Sequence, residues 1–116
     1  MEKQLATTLF ESLASGTRLD VFRLLVRQGH AGMVAGDVAS RLGLPPNNLS
    51  FHLKAMTQAG LLTVTQEGRF LRYRANLAMM QDLIAFLTAE CCADDAGQCE
   101  ELSATVCCPP ARTATS

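Results

Sequence analysis

The most restrictive feature of the sequence is a pair of short amphipathic segments joined by a tight turn. Apolar residues recur at helical spacing on both sides of Leu42-Gly43-Leu44-Pro45. Glycine ends a helix readily because it tolerates positive φ, and proline suits the first turn of a following helix. We therefore predict a third helix from Met33 to Leu42 and a fourth from Asn47 to Gln58. Two helices joined in this way form a helix-turn-helix.

Two further helices are predicted before this pair. The second of them begins after Thr17, which is a suitable N-cap, and ends near Gln28. Hydrophobic residues make up 48% of the 116 residues, so the chain can bury the core of one domain. Aromatic residues are only 5%, which predicts a mostly aliphatic core. The apolar residues that define the first helix are Leu5, Leu9, Phe10 and Leu13.

The downstream segments predict a hairpin and a last helix. Residues 61–66 and 70–74 are rich in β-forming side chains and flank the turn Glu67-Gly68-Arg69. Asn76 is placed to cap a fifth helix, whose apolar pattern fails near Glu90. The expected fold is therefore mainly α-helical with a small β-hairpin. The order of elements is that of a winged helix-turn-helix, a fold that binds DNA.

Charge and cysteine are distributed unevenly along the chain. Residues 1–80 carry nine basic and five acidic side chains, whereas residues 81–116 carry one basic and six acidic side chains. A basic body suits a polyanionic partner such as DNA. We divide the chain into a winged-helix and dimerisation domain at 1–92 and a flexible, cysteine-containing tail at 93–116. Every cysteine lies beyond residue 90: Cys91, Cys92, Cys99, Cys107 and Cys108.

The sequence also excludes several classes of protein. An odd number of cysteines and an N-terminus without the layout of a signal peptide argue against a disulfide framework and predict a cytoplasmic protein. The apolar runs are shorter than the roughly 18 residues that a membrane helix needs. The sequence has no phosphate-binding glycine motif and no pairing of nucleophile and base. We therefore expect a binding module that is not an enzyme and has no organic cofactor.

Several stretches resemble the ArsR/SmtB family of metal-sensing repressors. The most specific is Ser50-Phe51-His52-Leu53 followed by Ala59-Gly60-Leu61-Leu62. The resemblance implies a winged helix-turn-helix homodimer that binds operator DNA when unliganded and is released by an inducer. It also implies that the subunits pair through their first and last helices. The other resembling stretches are residues 13–19, 37–44 and 68–74. The candidate dimerisation residues are Leu5, Leu9, Leu77, Met80, Ile84 and Leu87.

The candidate DNA contacts come from three parts of the chain. The start of the fourth helix should face the major groove and reads bases there. For His52, a phosphate contact or a packing role is favoured over metal binding because no cysteine lies near it in sequence. A dimer would read an imperfect palindrome, since its two recognition helices lie about one helical turn of DNA apart. The expected base contacts are Asn47, Asn48, Ser50 and Phe51, and the expected phosphate contacts are Thr17, Arg18, His52, Lys54, Arg69 and Arg72.

The tail thiols are the candidate inducer site. Arsenite sensors of the best-known type carry cysteines at the start of the third helix, but residues 33–38 have none here. Other arsenite-sensing branches carry them at the end of the last helix, and Cys91, Cys92 and Cys99 resemble that arrangement. Thiolates select soft centres, and three of them complete the bonds of trivalent arsenic or antimony. The expected inducer is therefore As(III) or Sb(III).

Other uses of the thiols remain open. Cys107 and Cys108 are possible auxiliary thiols, and either one could be the fourth ligand that zinc or cadmium requires. An oxidation switch is a further alternative. The tail thiols could also be incidental. A thiol-rich metallochaperone or redox protein is disfavoured by the basic hairpin.

Overall fold

The computed structural model describes residues 1–89. Within this range, Glu2–Met79 form one compact unit, and a second unit begins at Met80. No helix in the described range combines the length and the hydropathy that spanning a membrane requires. The elements are α1 (Lys3–Leu13), α2 (Gly16–Gln28), a 3-10 turn (Gly29–Ala31), β1 (Met33–Val34), α3 (Ala35–Leu42), α4 (Pro46–Ala59), β2 (Leu62–Glu67), β3 (Phe70–Ala75) and α5 (Leu77–Leu87).

The predicted helix-turn-helix is confirmed as α3 and α4. Gly43 ends α3 with φ 67°, in the left-handed region where glycine carries no steric penalty. Pro46 occupies the first turn of α4, where its missing N–H costs no hydrogen bond. The prediction of Thr17 as the N-cap of α2 is wrong. Ser15 holds that position, and its Oγ accepts a hydrogen bond of 3.4 Å from the backbone N–H of Arg18.

The predicted start of the third helix is also wrong, because Met33 and Val34 form a strand. This strand, β1, pairs antiparallel with β3, and Met33 lies opposite Tyr73. The sheet therefore has three strands in the order β1-β3-β2 rather than two. The Met33 side chain is buried. A two-residue apolar stretch at the head of a helix has no periodicity of its own, so only its distant partner defines it as a strand.

The hairpin is confirmed with a two-residue turn. Strands β2 and β3 pair from Leu62 opposite Ala75 to Glu67 opposite Phe70, which leaves Gly68 and Arg69 at the tip. Gly68 has φ 62°, the positive value that such short hairpin turns favour. The wing of the predicted winged helix is therefore present.

The core is aliphatic, as predicted. Leu19 and Val26 of α2 are exposed, although their helical spacing predicts an apolar face. Phe10 of α1 is also exposed. The large side chains that are almost completely buried are Leu9, Val21, Leu24, Leu25, Val38, Leu49, Leu53, Met56 and Leu61.

Candidate nucleic-acid interface

Helix α4 has one buried face and one exposed face. Leu49, Leu53 and Met56 follow one another at spacings of four and three and are buried. Six α4 residues are predicted to face DNA. Five of them are exposed, and the sixth, His52, is half-buried. A helix that is anchored along one side can place the other side in a major groove about 12 Å wide. These exposed residues are Asn47, Asn48, Ser50, Phe51 and Lys54.

Three of the predicted DNA contacts form a cluster between α2 and α4. The Nε–H of Arg18 donates a 3.0 Å hydrogen bond to Nδ1 of His52. The Arg18 guanidinium carbon lies 5.9 Å from the centre of the Phe51 ring, which is within cation–π range. The Phe51 and His52 rings meet edge to face. His52 is therefore half-buried and joined to α2, whereas Phe51 projects with 65% of its surface exposed.

The first turn of α2 brings Thr17 next to this cluster. Both Thr17 and Arg18 are half-buried, and they lie at the N-terminal end of a helix of 13 residues. The helix dipole at such an end favours a phosphate. The position of these residues therefore suits the phosphate contact predicted for them.

The arginines of the wing divide into two kinds. Arg69 is exposed at the tip, next to Phe70, which has 63% of its surface exposed. Arg72 instead donates from Nε to Glu67 Oε1 and from Nη1 to the backbone oxygen of Ala31, both at 2.9 Å. Arg69 is thus free to reach DNA, while Arg72 is partly committed to contacts inside the protein.

Arg74 has the same internal role as Arg72. Its Nε donates to the backbone oxygen of His30 at 2.7 Å, and its Nη1 donates to Thr65 Oγ1 at 3.2 Å. These bonds join β3 to the 3-10 turn and to β2. The sequence showed Arg74 only as a basic residue of the hairpin, because carbonyl acceptors have no sequence pattern.

A cleft of about 380 Å³ lies between α4 and the wing. Ser50 and Lys54 line one side of the cleft, and Val64, Leu71 and Tyr73 line the other. Partial burial raises the pKa of the Tyr73 phenol above its ordinary value. The recognition helix and the wing therefore flank a cleft with a positive charge on the helix side.

The residues predicted for dimerisation differ from one another in burial. Leu9 is fully buried within the chain, so its side chain belongs to the core rather than to a free surface. Leu77, Ile84 and Leu87 are exposed. Leu5 and Met80 are half-buried. The five cysteines, Cys91, Cys92, Cys99, Cys107 and Cys108, lie outside the described residues. Among residues 1–89, no three His, Cys, Asp or Glu side chains cluster closely enough to hold a metal ion.

The comparison with known sequences agrees with this arrangement. A family model described as a helix-turn-helix domain matches residues 13–65, which include α2, α3 and α4. The transcriptional repressor SdpR of Bacillus subtilis is 29% identical over 79 residues. That alignment covers 68% of this chain and 84% of SdpR.

Solved structures with the same fold are also transcriptional regulators. The crystal structure of a possible transcriptional regulator for arsenical resistance is 30% identical, with a TM-score of 0.58 over 69% of this chain and 79% of that one. The homodimeric winged helix-turn-helix domain of Mb0332 from Mycobacterium bovis is described as a possible ArsR-family regulator. It is 26% identical, with a TM-score of 0.60 over 75% of this chain and 81% of that one. With this sequence, fold and set of relatives, the chain belongs to the ArsR family of transcriptional regulators, which bind DNA and are not enzymes.

Proposed function

We propose that the protein is a homodimeric repressor in the cytoplasm that binds operator DNA through α4, the start of α2 and the tip of the wing. The observation that carries this proposal is the exposed face of α4, with the Arg18 cluster on one side and the wing on the other. Asn47, Asn48 and Ser50 would read base edges, and Lys54 and Arg69 would contact phosphates. The relative SdpR is described as a repressor, which supports repression rather than activation.

Dimerisation is supported by the exposed apolar side chains of α5. Ile84 and Leu87 expose 37% and 57% of their surfaces, and Phe86 exposes 38%. Several exposed apolar side chains on one short helix suit a protein–protein interface. The homodimeric state of the related Mb0332 domain supports the same assembly. A dimer presents two copies of α4, so the operator is expected to be an imperfect palindrome.

Two substitutions test the proposed DNA contacts. Arg69→Ala removes one phosphate contact per subunit, two per dimer, and should weaken binding to every sequence, while lowering the slope of log affinity against log salt by about 2. Asn48→Ala should instead reduce the discrimination between operator variants. Fluorescence anisotropy with the upstream promoter at several salt concentrations measures both effects.

Arg27→Ala is the charge-matched control. Arg27 is exposed in the last turn of α2, at the opposite end of that helix from Arg18. If Arg69→Ala lost no more affinity than Arg27→Ala, and Asn48→Ala kept full discrimination, the proposed interface would be incorrect. Arg72→Ala is a less selective test, because it also removes the hydrogen bond to Ala31 and the ion pair with Glu67.

We further propose that trivalent arsenic or antimony releases the DNA by binding Cys91, Cys92 and Cys99. The support is the confinement of all five cysteines to residues 91–108, beginning four positions after α5 ends at Leu87. The related solved structure described as a possible regulator for arsenical resistance points to the same inducer class. Three thiolates supply all the bonds that As(III) needs, and soft thiolates prefer such centres.

Gel shifts with arsenite test this inducer site. Cys99→Ser removes one sulfur ligand, so the variant should still bind the promoter but no longer release it. Truncation after Ala104 removes Cys107 and Cys108 and should leave the response largely intact. The opposite pattern, with Cys99→Ser inducible and the truncation unresponsive, would move the site to the terminal pair.

A second candidate is a zinc or cadmium sensor, or a thiol-redox switch, of the same fold. The two additional thiols favour it, because Cys107 or Cys108 would complete four ligands. Titration of the same gel shift with zinc, cadmium and peroxide separates these inducers from arsenite. Release by zinc or peroxide alone would establish the second candidate.

A further inference from the structure

Ser12 of α1 is a buried hydroxyl without a hydrogen-bond partner. The side chain exposes only 5% of its surface, and no partner for Oγ lies within residues 1–89. Other helical hydroxyls bond to the carbonyl four residues earlier, as Thr7 does with Lys3 and Thr8 with Gln4. The same local acceptor position exists for Ser12 but is not used. A buried polar group that remains unpaired in this way calls for an explanation such as an absent ligand.

Ser12 lines an open surface pocket of about 340 Å³, which we call the α1–α4 cavity. Glu11 from α1, Arg18 from α2 and Gln58 from α4 line it as well. Its volume lies at the lower end of the range of small-molecule sites, about 300–1,000 Å³. The cavity therefore has room for a compact ligand and presents one acid, one base and three neutral polar groups, Thr8, Ser12 and Gln58.

The two charged side chains of the cavity, Glu11 and Arg18, do not neutralise one another. No ion pair between Glu11 and Arg18 exists in the described part of the chain. Arg18 uses Nε for His52, and within residues 1–89 its two terminal nitrogens make no hydrogen bond. A guanidinium with two free terminal nitrogens is suited to a carboxylate. A carboxylate such as Glu11 is suited to an ammonium group.

We propose that the α1–α4 cavity binds a small zwitterion of the α-amino acid class. The ligand's carboxylate bonds to the terminal nitrogens of Arg18, and its ammonium group bonds to Glu11. Ser12 Oγ is buried in this structure and would contact the ligand only in a different χ1 rotamer. Gln58 supplies a further donor or acceptor at the α4 side of the cavity.

Binding in this cavity would regulate contact with DNA, and this part of the inference rests on the proposed function. Arg18 is a proposed phosphate contact and is bonded to His52, which precedes the buried Leu53 on the recognition helix. A ligand carboxylate neutralises the Arg18 charge and competes with the phosphate. The ligand should therefore lower operator affinity, and DNA should lower ligand affinity by the same factor.

Calorimetry on the full chain without DNA tests the site itself. The probes are the protein amino acids one at a time, with acetate and methylamine as analogues that carry a single charge. We expect saturable binding of at least one amino acid, and binding of either analogue that is weaker by about tenfold or more. Absence of saturable binding for every amino acid, or equal binding of acetate, would overturn the proposal.

Three variants locate the binding. Glu11→Gln removes the charge but keeps the shape, and Ser12→Ala removes the unpaired hydroxyl; each should weaken binding about fivefold or more. Thr7→Ala is the control, because Thr7 lies on the same helix but does not line the cavity. Circular dichroism verifies that each variant is folded. Unchanged binding in both Glu11→Gln and Ser12→Ala would place the ligand elsewhere and refute the assignment.

Anisotropy with promoter DNA tests the regulation. The amino acid that binds should weaken promoter binding of the wild type about fivefold or more, and Glu11→Gln should require about fivefold more ligand, or more than that, for the same effect. Binding of the ligand without any change in DNA affinity would refute the coupling. Failure to bind the promoter in any state would refute the proposed function instead, and calorimetry would still report on the cavity.

Discussion

Replacing Gly32 by alanine should destabilise the protein far more than the same change at Gly29. Both residues have positive φ, 60° at Gly32 and 59° at Gly29, and ψ of −165° and −138°. Backbone of this kind is nearly restricted to glycine, and an alanine there costs about 1–3 kcal/mol. The strain is therefore similar at the two sites, which makes Gly29→Ala a matched control.

The two sites differ in the space that a new Cβ would enter. At Gly29 no atom lies within 4 Å of the added carbon. At Gly32 the carbon would lie 2.5 Å from the backbone oxygen of Tyr73 and 2.8 Å from Cγ of Arg74. The Tyr73 oxygen belongs to the sheet and cannot move without disturbing β3. Overpacking of this severity costs about 1–3 kcal/mol in addition to the strain.

We therefore expect a loss of about 1–3 kcal/mol for Gly29→Ala and about 2–6 kcal/mol for Gly32→Ala. Urea unfolding at a fixed protein concentration measures both free energies by linear extrapolation. Equal losses in the two variants would contradict the close approach of Gly32 to the Tyr73 backbone. A large loss at Gly29 alone would contradict the account of both glycines.

Three further predictions concern stability. Burial raises the pKa of Tyr73 above 10.0, so the folded chain holds the phenolic proton more tightly than the unfolded chain. The free energy of unfolding should therefore fall as the pH rises above about 10. Denaturant titrations at several pH values should show a smaller fall in Tyr73→Phe. Leu53→Ala should cost about 2–5 kcal/mol and weaken promoter binding, because Leu53 is fully buried under the recognition helix; a cost below about 1 kcal/mol in urea unfolding would argue against that packing. Asn76→Ala should lower the free energy of unfolding by about 1–2 kcal/mol, because Asn76 Oδ1 accepts from the N–H of Met79 at the start of α5 and Nδ2 donates to the backbone oxygen of Gly60. An unchanged melting temperature would exclude both roles.

Local signals in the sequence predicted much of the fold. The Gly43 stop, the Pro45-Pro46 restart and the Gly68 turn are recognisable because glycine and proline determine backbone angles on their own. Strand β1 is not predictable from local signals, because Met33 and Val34 pair with Tyr73 and Arg72, 40 and 38 positions away. Ser15 was missed as a cap because Thr17 is an equally suitable residue type two positions later.

The candidate DNA site was predictable as a set of exposed residues but not as a set of contacts. Asn47, Asn48 and Ser50 are predicted to face DNA from their place at the start of the fourth helix, and all three are exposed. The hydrogen bond between Arg18 and His52 spans 34 positions and has no periodic signature. The same holds for Arg72, whose bond to Ala31 spans 41 positions and reduces its availability to DNA.

The hydrogen bonds from Arg72 and Arg74 to the 3-10 turn determine where the wing can change in length. A lone two-stranded hairpin is only marginally stable in water. Here Arg72 and Arg74 anchor the base of the hairpin to Ala31 and His30, so its support does not depend on Gly68 and Arg69 at the tip. Insertions at exposed loop tips are tolerated when the flanking backbone is well held. The tip is therefore the place where this chain can accept a longer loop, and with it a different reach along the DNA, without losing its sheet.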